Sequence, residues 1–286
     1  MKTSIIDLKK LEEQKKSNLR TDILLVFAVI GLILISGCLE VPREEKWGIY
    51  VLDLSTGGVE LIYSSNKQIG GLNLDSYGAR LAFSKKNGTE MLDTSSEIFT
   101  IDTDGMNLKR LTNNNYFDAY PSFSPDSSKI VFISKRNATL DLYVMNSNGD
   151  EQQKLYDSGG HDSDVNWGSS EIIVFTRNHQ IWSLHSDGTD PKQITDPLNA
   201  GQWGTANLPI GDYDPRLSPD DTKIVFERLE DPDTRHGGYN LFIINVNGTG
   251  ETRLTNNFYT LGLPSWSHSG DKIVYIASVI NDVGVF

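Results

Sequence analysis

Tyr120-Pro-Ser-Phe-Ser-Pro-Asp-Ser-Ser-Lys-Ile-Val-Phe-Ile-Ser134, followed by Asp141-Leu-Tyr-Val-Met-Asn-Ser-Asn-Gly149, is a line that the chain writes several times. Relatives of the first part run over 72–84, 164–176, 214–227 and 263–277. Relatives of the second part run over 48–63, 97–112, 180–195 and 240–255. Self-similarity at a period of about 40–50 residues is the signature of a repeat architecture, in which each unit buries its apolar face only against a neighbour.

Each part reads as a hairpin. The β-branched and aromatic residues of Lys129-Ile-Val-Phe-Ile133 and Lys272-Ile-Val-Tyr-Ile276 suit a pleated, buried surface. The Ser-Pro-Asp and Asp-Gly or Asn-Gly segments between strands supply the fixed φ of proline and the positive φ tolerated by Gly, Asn and Asp. Two hairpins make a four-stranded sheet, and sheets of this kind hide their faces by stacking radially into an all-β propeller.

The segments SPDSSKIVF, SPDDTKIVF and SHSGDKIVY, with DLYVMNSNG, NLFIINVNG and the RLTNN-type ends, resemble TolB-type propeller repeats. The resemblance spans 47–286 and implies a protein-interaction role, with partner peptides engaging the channel mouth. One copy is degenerate: Asp164-Val-Asn-Trp-Gly-Ser-Ser170 has no Ser-Pro-Asp turn. The phase of the repeat predicts four complete blades. It leaves an unpaired hairpin at each end, 48–63 and 263–277. Pairing 48–54 beside 272–276 would satisfy two exposed strand edges and close a ring of five blades. Six blades, incompletely represented, is the alternative, because 281–286 resembles the start of another strand.

The first residues read as targeting sequence. Lys9, Lys10, Lys15, Lys16 and Arg20 precede the apolar run 23–35, which ends at Ile35-Ser36-Gly37-Cys38. That ending resembles a lipobox, with 1–37 a lipoprotein signal peptide, Cys38 the lipidated residue and 38–46 a linker. The apolar run is short against the roughly 20 residues of a membrane span; a plain N-terminal anchor is the other reading. Both place the propeller outside the cytoplasm, on the cell surface or in a periplasm. Cys38 is the only cysteine, so the fold is expected to hold without a disulfide.

Residues 1–37 hold six of the 26 basic and four of the 38 acidic residues, leaving 20 basic against 34 acidic residues and a net charge of −14. Phosphate backbones demand the opposite sign, which excludes nucleic acid as a partner.

Loops inside hairpins are short and stereotyped, whereas those between hairpins and blades carry insertions at 84–96, 196–213 and 230–238. Insertions on one face of a repeat array mark a binding side. Tyr116, Phe117, Trp203, Tyr213, Phe258 and Tyr259 collect there, with Asp118, His161, Asp162, Asp212, Asp214, Arg235 and His236. Aromatic platforms with polar neighbours suit a peptide or a glycan. Three Asn-x-Thr triplets, at Asn87, Asn137 and Asn247, are glycan-acceptor patterns.

Catalytic patterns are poor: no Gly-x-Ser-x-Gly elbow, no His-Glu-x-x-His, no phosphate loop and no ligand spacing among the five histidines. Asp102-Thr-Asp104-Gly105 echoes a calcium loop but reads as a tight turn. The expectation is a monomeric, cofactor-free binding propeller in the cell envelope, anchored to the membrane by lipid. The alternatives are a polysaccharide-acting hydrolase or lyase using Asp212, Asp214, Asp162 and His161, and an accessory propeller to a peptidase.

Overall fold

A computed structural model of the chain describes residues 25–28, 47–53, 56–87, 95–204, 208–231, 238–256, 260–279 and 282–285. Cys38 and most of the leader and linker lie outside them. All regular structure among the described residues is β. The chain divides into two compact units, 1–66 and 67–286. The first holds a three-stranded antiparallel sheet of β1 (Leu25–Ala28), β2 (Trp47–Leu52) and β3 (Val59–Ser65), with β2 in the middle.

The second unit is a series of propeller blades. Blade one is β4 (Ile69–Leu74), β5 (Arg80–Lys86), β6 (Ser96–Asp102) and β7 (Lys109–Arg110). Blade two is β8 (Asp118–Phe123), β9 (Lys129–Ser134), β10 (Asp141–Asn146) and β11 (Gln153–Tyr156). Blade three is β12 (Asp162–Trp167), β13 (Ile172–Arg177), β14 (Gln180–His185) and β15 (Lys192–Gln193). Blade four is β16 (Gly211–Leu217), β17 (Lys223–Leu229), β18 (Tyr239–Asn245) and β19 (Thr252–Arg253). A three-stranded sheet of β20 (Thr260–Trp266), β21 (Ile273–Val279) and β22 (Asp282–Val285) follows.

The phase expected from the repeat therefore holds, with four four-stranded blades, of which blades two and four are led by a Ser-Pro-Asp hairpin. The pairing of 48–54 beside 272–276 is not among the strand pairs found within the sheets. β2 takes β1 and β3 as its two partners, and β21 takes β20 and β22. Each of these strands finds both neighbours inside its own unit, because residues 282–285 supply a third strand directly after β21.

The turn chemistry explains the motif. Ser124 Oγ donates to Asp126 Oδ1 at 2.6 Å and accepts from the Lys129 amide at 2.9 Å, while Ser128 donates to the same carboxylate from its amide and its hydroxyl. These donors pull the Asp126 carboxyl down to about 2. Ser218, Asp220, Thr222 and Lys223 repeat the arrangement in blade four. Blade three has no such Asp, and its neighbour provides one. Asp221 of blade four accepts from the amides of Ser169 at 3.0 Å and Ser170 at 2.6 Å, and from the Ser169 hydroxyl at 3.0 Å. Gly168 is required beside it: a Cβ there would lie 2.4 Å from Asp221 Oδ1.

The Leu-Thr and Ile-Thr endings also have a use. Thr112, Thr195 and Thr255 each offer a hydroxyl, at 2.9 Å, to the amide of Ile98, Ile181 and Leu241 on the third strand of the same blade. The core lies between blades. Val131, Ile133, Leu142 and Val144 of blade two meet Val165, Ile173, Phe175 and Leu184 of blade three, and Val174 and Ile181 meet Phe226, Phe242 and Ile244 of blade four. Phe83, Phe132, Phe175 and Phe226 occupy one column of the second strands, each fully buried.

Turn residues fix the spacing of blades. A Cβ on Gly149 would sit 3.0 Å from the Leu111 carbonyl oxygen, and one on Gly188 would sit 2.4 Å from that of Leu155. These glycines, at φ 93° and 86°, let the turn of one blade rest on the outer strand of the blade before it. Lys109 and Lys192 reinforce the contact by donating to the Asn148 and Asn247 carbonyls of the next blade, each at 2.7 Å.

Candidate functional site

Successive first strands β4, β8, β12, β16 and β20 pack on one another and form the inner row. Their N-terminal ends lie on the side where the longer connections emerge. The best built of these connections, in its described residues, is 196–204 with 208–210. Gly201 and Ile210 are joined by a Gly201 amide bond to the Ile210 carbonyl at 2.8 Å, and Ile210 returns a bond to Gln202 at 2.8 Å. The Ala200 and Gln202 amides bond back to Pro197 and Asn199. Pro197, Pro209 and Ile210 are buried beneath, while Leu198 is 85% and Trp203 66% exposed. A loop held this firmly displays two large apolar side chains to solvent.

Beside it, Tyr213 is buried, its hydroxyl donating to the Pro209 carbonyl at 2.7 Å and meeting His179 Nδ1 at 3.0 Å. Burial lowers the His179 pKa below its ordinary value, which favours the neutral ring. Tyr213 is therefore a packing residue under the loop and not part of an open platform.

Three equivalent carboxylates begin the inner strands. Asp118 accepts from Ser134 Oγ at 2.5 Å, Asn114 Nδ2 at 2.8 Å and Arg136 at 3.3 Å. Asp212 holds Arg228 through two bonds, of 2.5 and 3.0 Å, and Arg228 in turn holds Glu251. The hydrogen-bonding capacity of both is spent inside the blade. Asp162, fully buried, makes no close hydrogen bond on either oxygen, and the Ser158 hydroxyl is the polar side chain that favours its charged form.

The inner row carries a second repeated device. Each first strand has a bulge, and at it Gly71, Tyr120, Asp164, Asp214 and Leu263 take left-handed φ values between 50° and 59°. Four of these are not glycine, a conformation that the packed row must impose. The bulges bring Asp164, Asp214 and Glu227 of β17 together. Burial and the Asp214 charge push the Asp164 carboxyl up, and the same two causes raise Glu227 further. Proximity to the Asp214 side chain adds to that rise. Arg216 lies 3.7 Å from Asp214, and the charges of Asp164 and Asp214 hold the Tyr120 proton in place. Among the described residues no group of three His, Cys, Asp or Glu is placed to hold a metal ion.

The thirteen ligand-binding candidates thus fall in several places. Tyr116 is exposed, and Phe117 bridges to Ser96 at the junction of blades one and two. His161 is exposed and bridges to Leu140 at the junction of blades two and three. Tyr213 meets His179 between blades three and four, Asp212 is held by Arg228 within blade four, Trp203 stands in solvent, and Asp214 belongs to the inner row. Arg235, His236, Phe258 and Tyr259 lie outside the described residues. Sequence reasoning missed Leu198, Asp164, Glu227 and Tyr120. The signal was present in the last three as a column: Tyr120 and Asp164 sit two residues after a repeated Asp, and Glu227 follows a repeated Phe. The carboxylates that meet are Asp164, Asp214 and Glu227, not Asp212 with Asp214.

A family model described as the TolB beta propeller domain matches residues 43–202. A TolB homolog of Chlorobium luteolum is 28% identical over 161 residues, 55% of this chain and 33% of that protein. The crystal structure of TolB from Acinetobacter baumannii superposes with a TM-score of 0.65 at 19% identity, covering 85% of this chain and 57% of that one. An oligogalacturonate lyase of Vibrio parahaemolyticus superposes at 0.57 with 12% identity, covering 83% and 71%. The chain spans less than two thirds of the length of the TolB homolog and of the TolB structure.

Proposed function

The chain belongs to the TolB beta-propeller family, and from that premise we propose that it is a non-enzymatic, extracytoplasmic binding propeller, anchored to the membrane through lipid on Cys38. It engages a protein or peptide segment, or a glycan, on the insertion-bearing face. The observation that carries this reading is the stretch 196–204, tied by backbone bonds within 197–202 and from Gly201 and Gln202 to Ile210, while Leu198 and Trp203 stand in solvent. Exposed large apolar side chains on a preorganised loop serve as anchors, because little ordering entropy is lost when a partner covers them. The negative charge favours a partner that is basic or neutral around its apolar contact.

The test replaces Leu198 and Trp203 by Ala in the full chain, in its native envelope. Cross-linking from the wild-type protein is expected to yield a defined partner band that the double variant loses, with an unchanged melting temperature. Equal recovery of the same partner from both proteins removes this face from the reading.

A second reading, chemistry on a polysaccharide, draws on one observation: the Asp164 and Glu227 carboxyls lie together at the inner row, both raised by burial and by the Asp214 charge, and carboxyl groups tuned by their surroundings suit acid–base work. Incubation with polygalacturonate and other acidic polysaccharides tests it. New reducing or unsaturated ends that vanish in Glu227→Gln would favour the enzyme.

A further inference from the structure

Blades two, three and four carry the same carboxylate at the start of the first strand, and blades two and four neutralise it within the blade. Asp118 has Arg136 and Asp212 has Arg228. In blade three the equivalent arginine is present. Arg177 lies directly across the strand pair from Asp162, in the register that Arg228 has with Asp212. It bonds elsewhere. Its guanidinium donates to the Ser158 carbonyl and, at 3.2 Å, to the Tyr156 hydroxyl, and stacks 4.6 Å from the Trp182 ring. Its Nε is buried without a partner, as are both oxygens of Asp162. Two oppositely charged groups thus face each other across paired strands, each with unmet hydrogen bonds, and remain apart.

The group that Arg177 holds instead is a strap. Residues 157–161 connect β11 to β12 across the insertion-bearing face. The Ser158 carbonyl is pinned by Arg177, the Ser158 hydroxyl accepts from the Gly160 amide at 3.0 Å, and the His161 amide donates to Asn178. Gly159, at φ 66°, supplies the bend.

We propose that Arg177 is a two-position switch: it clamps the strap 157–161 while Asp162 is protonated, and transfers to the Asp162 carboxylate when that group ionises, releasing the strap. The proton budget is simple. Asp162 loses one proton to solvent, and the arginine, always charged, changes only its partner. Burial raises the Asp162 pKa to about 7, so both positions are populated around neutral pH. The charged groups facing Asp162 are Arg177 from β13, Asp141 from β10 and Asp157 from the strap. Lys154 of β11 occupies the last two, bonding each at 2.9 Å, and is not free to serve Asp162. His161, next in the chain, faces solvent. The switch stands on blade geometry; its bearing on a partner rests on the proposed binding face.

The test is a pH titration of the full chain in neutral detergent, followed by NMR at the Asp162 carboxyl carbon, the Trp182 indole N–H and the Gly160 amide. The expected result is one common midpoint near 7 for all three. Asp162→Asn should hold Trp182 and Gly160 at the wild-type acid limit at every pH. Arg177→Gln should leave the Asp162 titration in place and flatten the Gly160 response. The proposal is overturned if Asp162 does not titrate between pH 5.5 and 8.5, or if it titrates while Trp182 and Gly160 stay flat. It is equally overturned if Gly160 still moves in Asp162→Asn. None of these outcomes depends on a partner, so loss of the binding face leaves the switch standing, and the reverse.

Discussion

In blade four, Asp212 grips Arg228 through two hydrogen bonds and Ser218-Pro-Asp220 closes its own turn. In blade three, Asp162 grips nothing, and Gly168-Ser-Ser170 borrows Asp221 from the blade that follows. The apolar columns of the two blades are nevertheless alike, with Phe175 and Phe226 both fully buried. Core packing and polar finishing are separable: a repeat keeps its place in the row through its second-strand aromatics while its turns and ion pairs drift. One lost device is repaired across the interface, and the other is left open. A buried carboxylate without a donor costs stability when charged, which a blade tolerates only if the group is neutral or serves another purpose.

The largest expected effect tests whether the cores are indeed equivalent. Phe175→Ala and Phe226→Ala should each cost about 3–5 kcal/mol by denaturant unfolding, within about 1 kcal/mol of one another. A much cheaper Phe175→Ala would mean that the degenerate blade is loosely packed. Next comes the borrowed turn. Asp221→Ala removes three bonds to blade three and should cost about 2–4 kcal/mol, whereas Asp126→Ala, at an exposed turn where water substitutes, should cost about 1 kcal/mol. Equal costs would deny the repair across blades.

The third effect depends on pH. The Asp162 carboxyl moves from an ordinary 3.8 to about 7 in the folded chain. Below the lower value both states are protonated. As pH rises between the two, the unfolded chain loses the proton while the folded chain keeps it, so folding stability falls. Asp162→Asn lacks this loss. Its unfolding free energy should match wild type at acid pH and exceed it at pH 8, by a margin on the order of a few kcal/mol. A constant difference across pH would show that Asp162 keeps an ordinary pKa. The smallest effect is at the loop tip: Leu198→Ala and Trp203→Ala should change stability by less than about 0.5 kcal/mol, in contrast to the buried Tyr213 beneath, where removal of the ring should be felt throughout the junction.

What could be read in the chain alone follows from how far apart interacting residues lie. Hairpins, blade phase and the failure of the Ser-Pro-Asp turn at 168–170 were legible because turn residues act within five positions of one another. The reach of Asp221 to Ser169 spans 52 positions and has no local mark. The column of Asp118, Asp162 and Asp212 was visible, and was read as a ligand surface. Their arginines identify two of them as internal pairs, but Arg136 is displaced by two residues from the register of Arg177 and Arg228, which hides the pattern. The cluster at Asp164, Asp214 and Glu227 depends on left-handed bulges in non-glycine residues, which no propensity foretells.

The glycines of the outer turns have a consequence for how such a chain can grow. Gly149 on Leu111, Gly188 on Leu155 and Gly248 on Ile194 repeat one kind of joint between consecutive blades. A duplicated stretch of DNA that encodes one whole period carries both halves of that joint with it. The copy therefore fits its neighbours at birth, while a copy of half a period arrives with two fronts or two backs. Blade number can then change in single steps without inventing a new interface, and the same glycines forbid the steps in between.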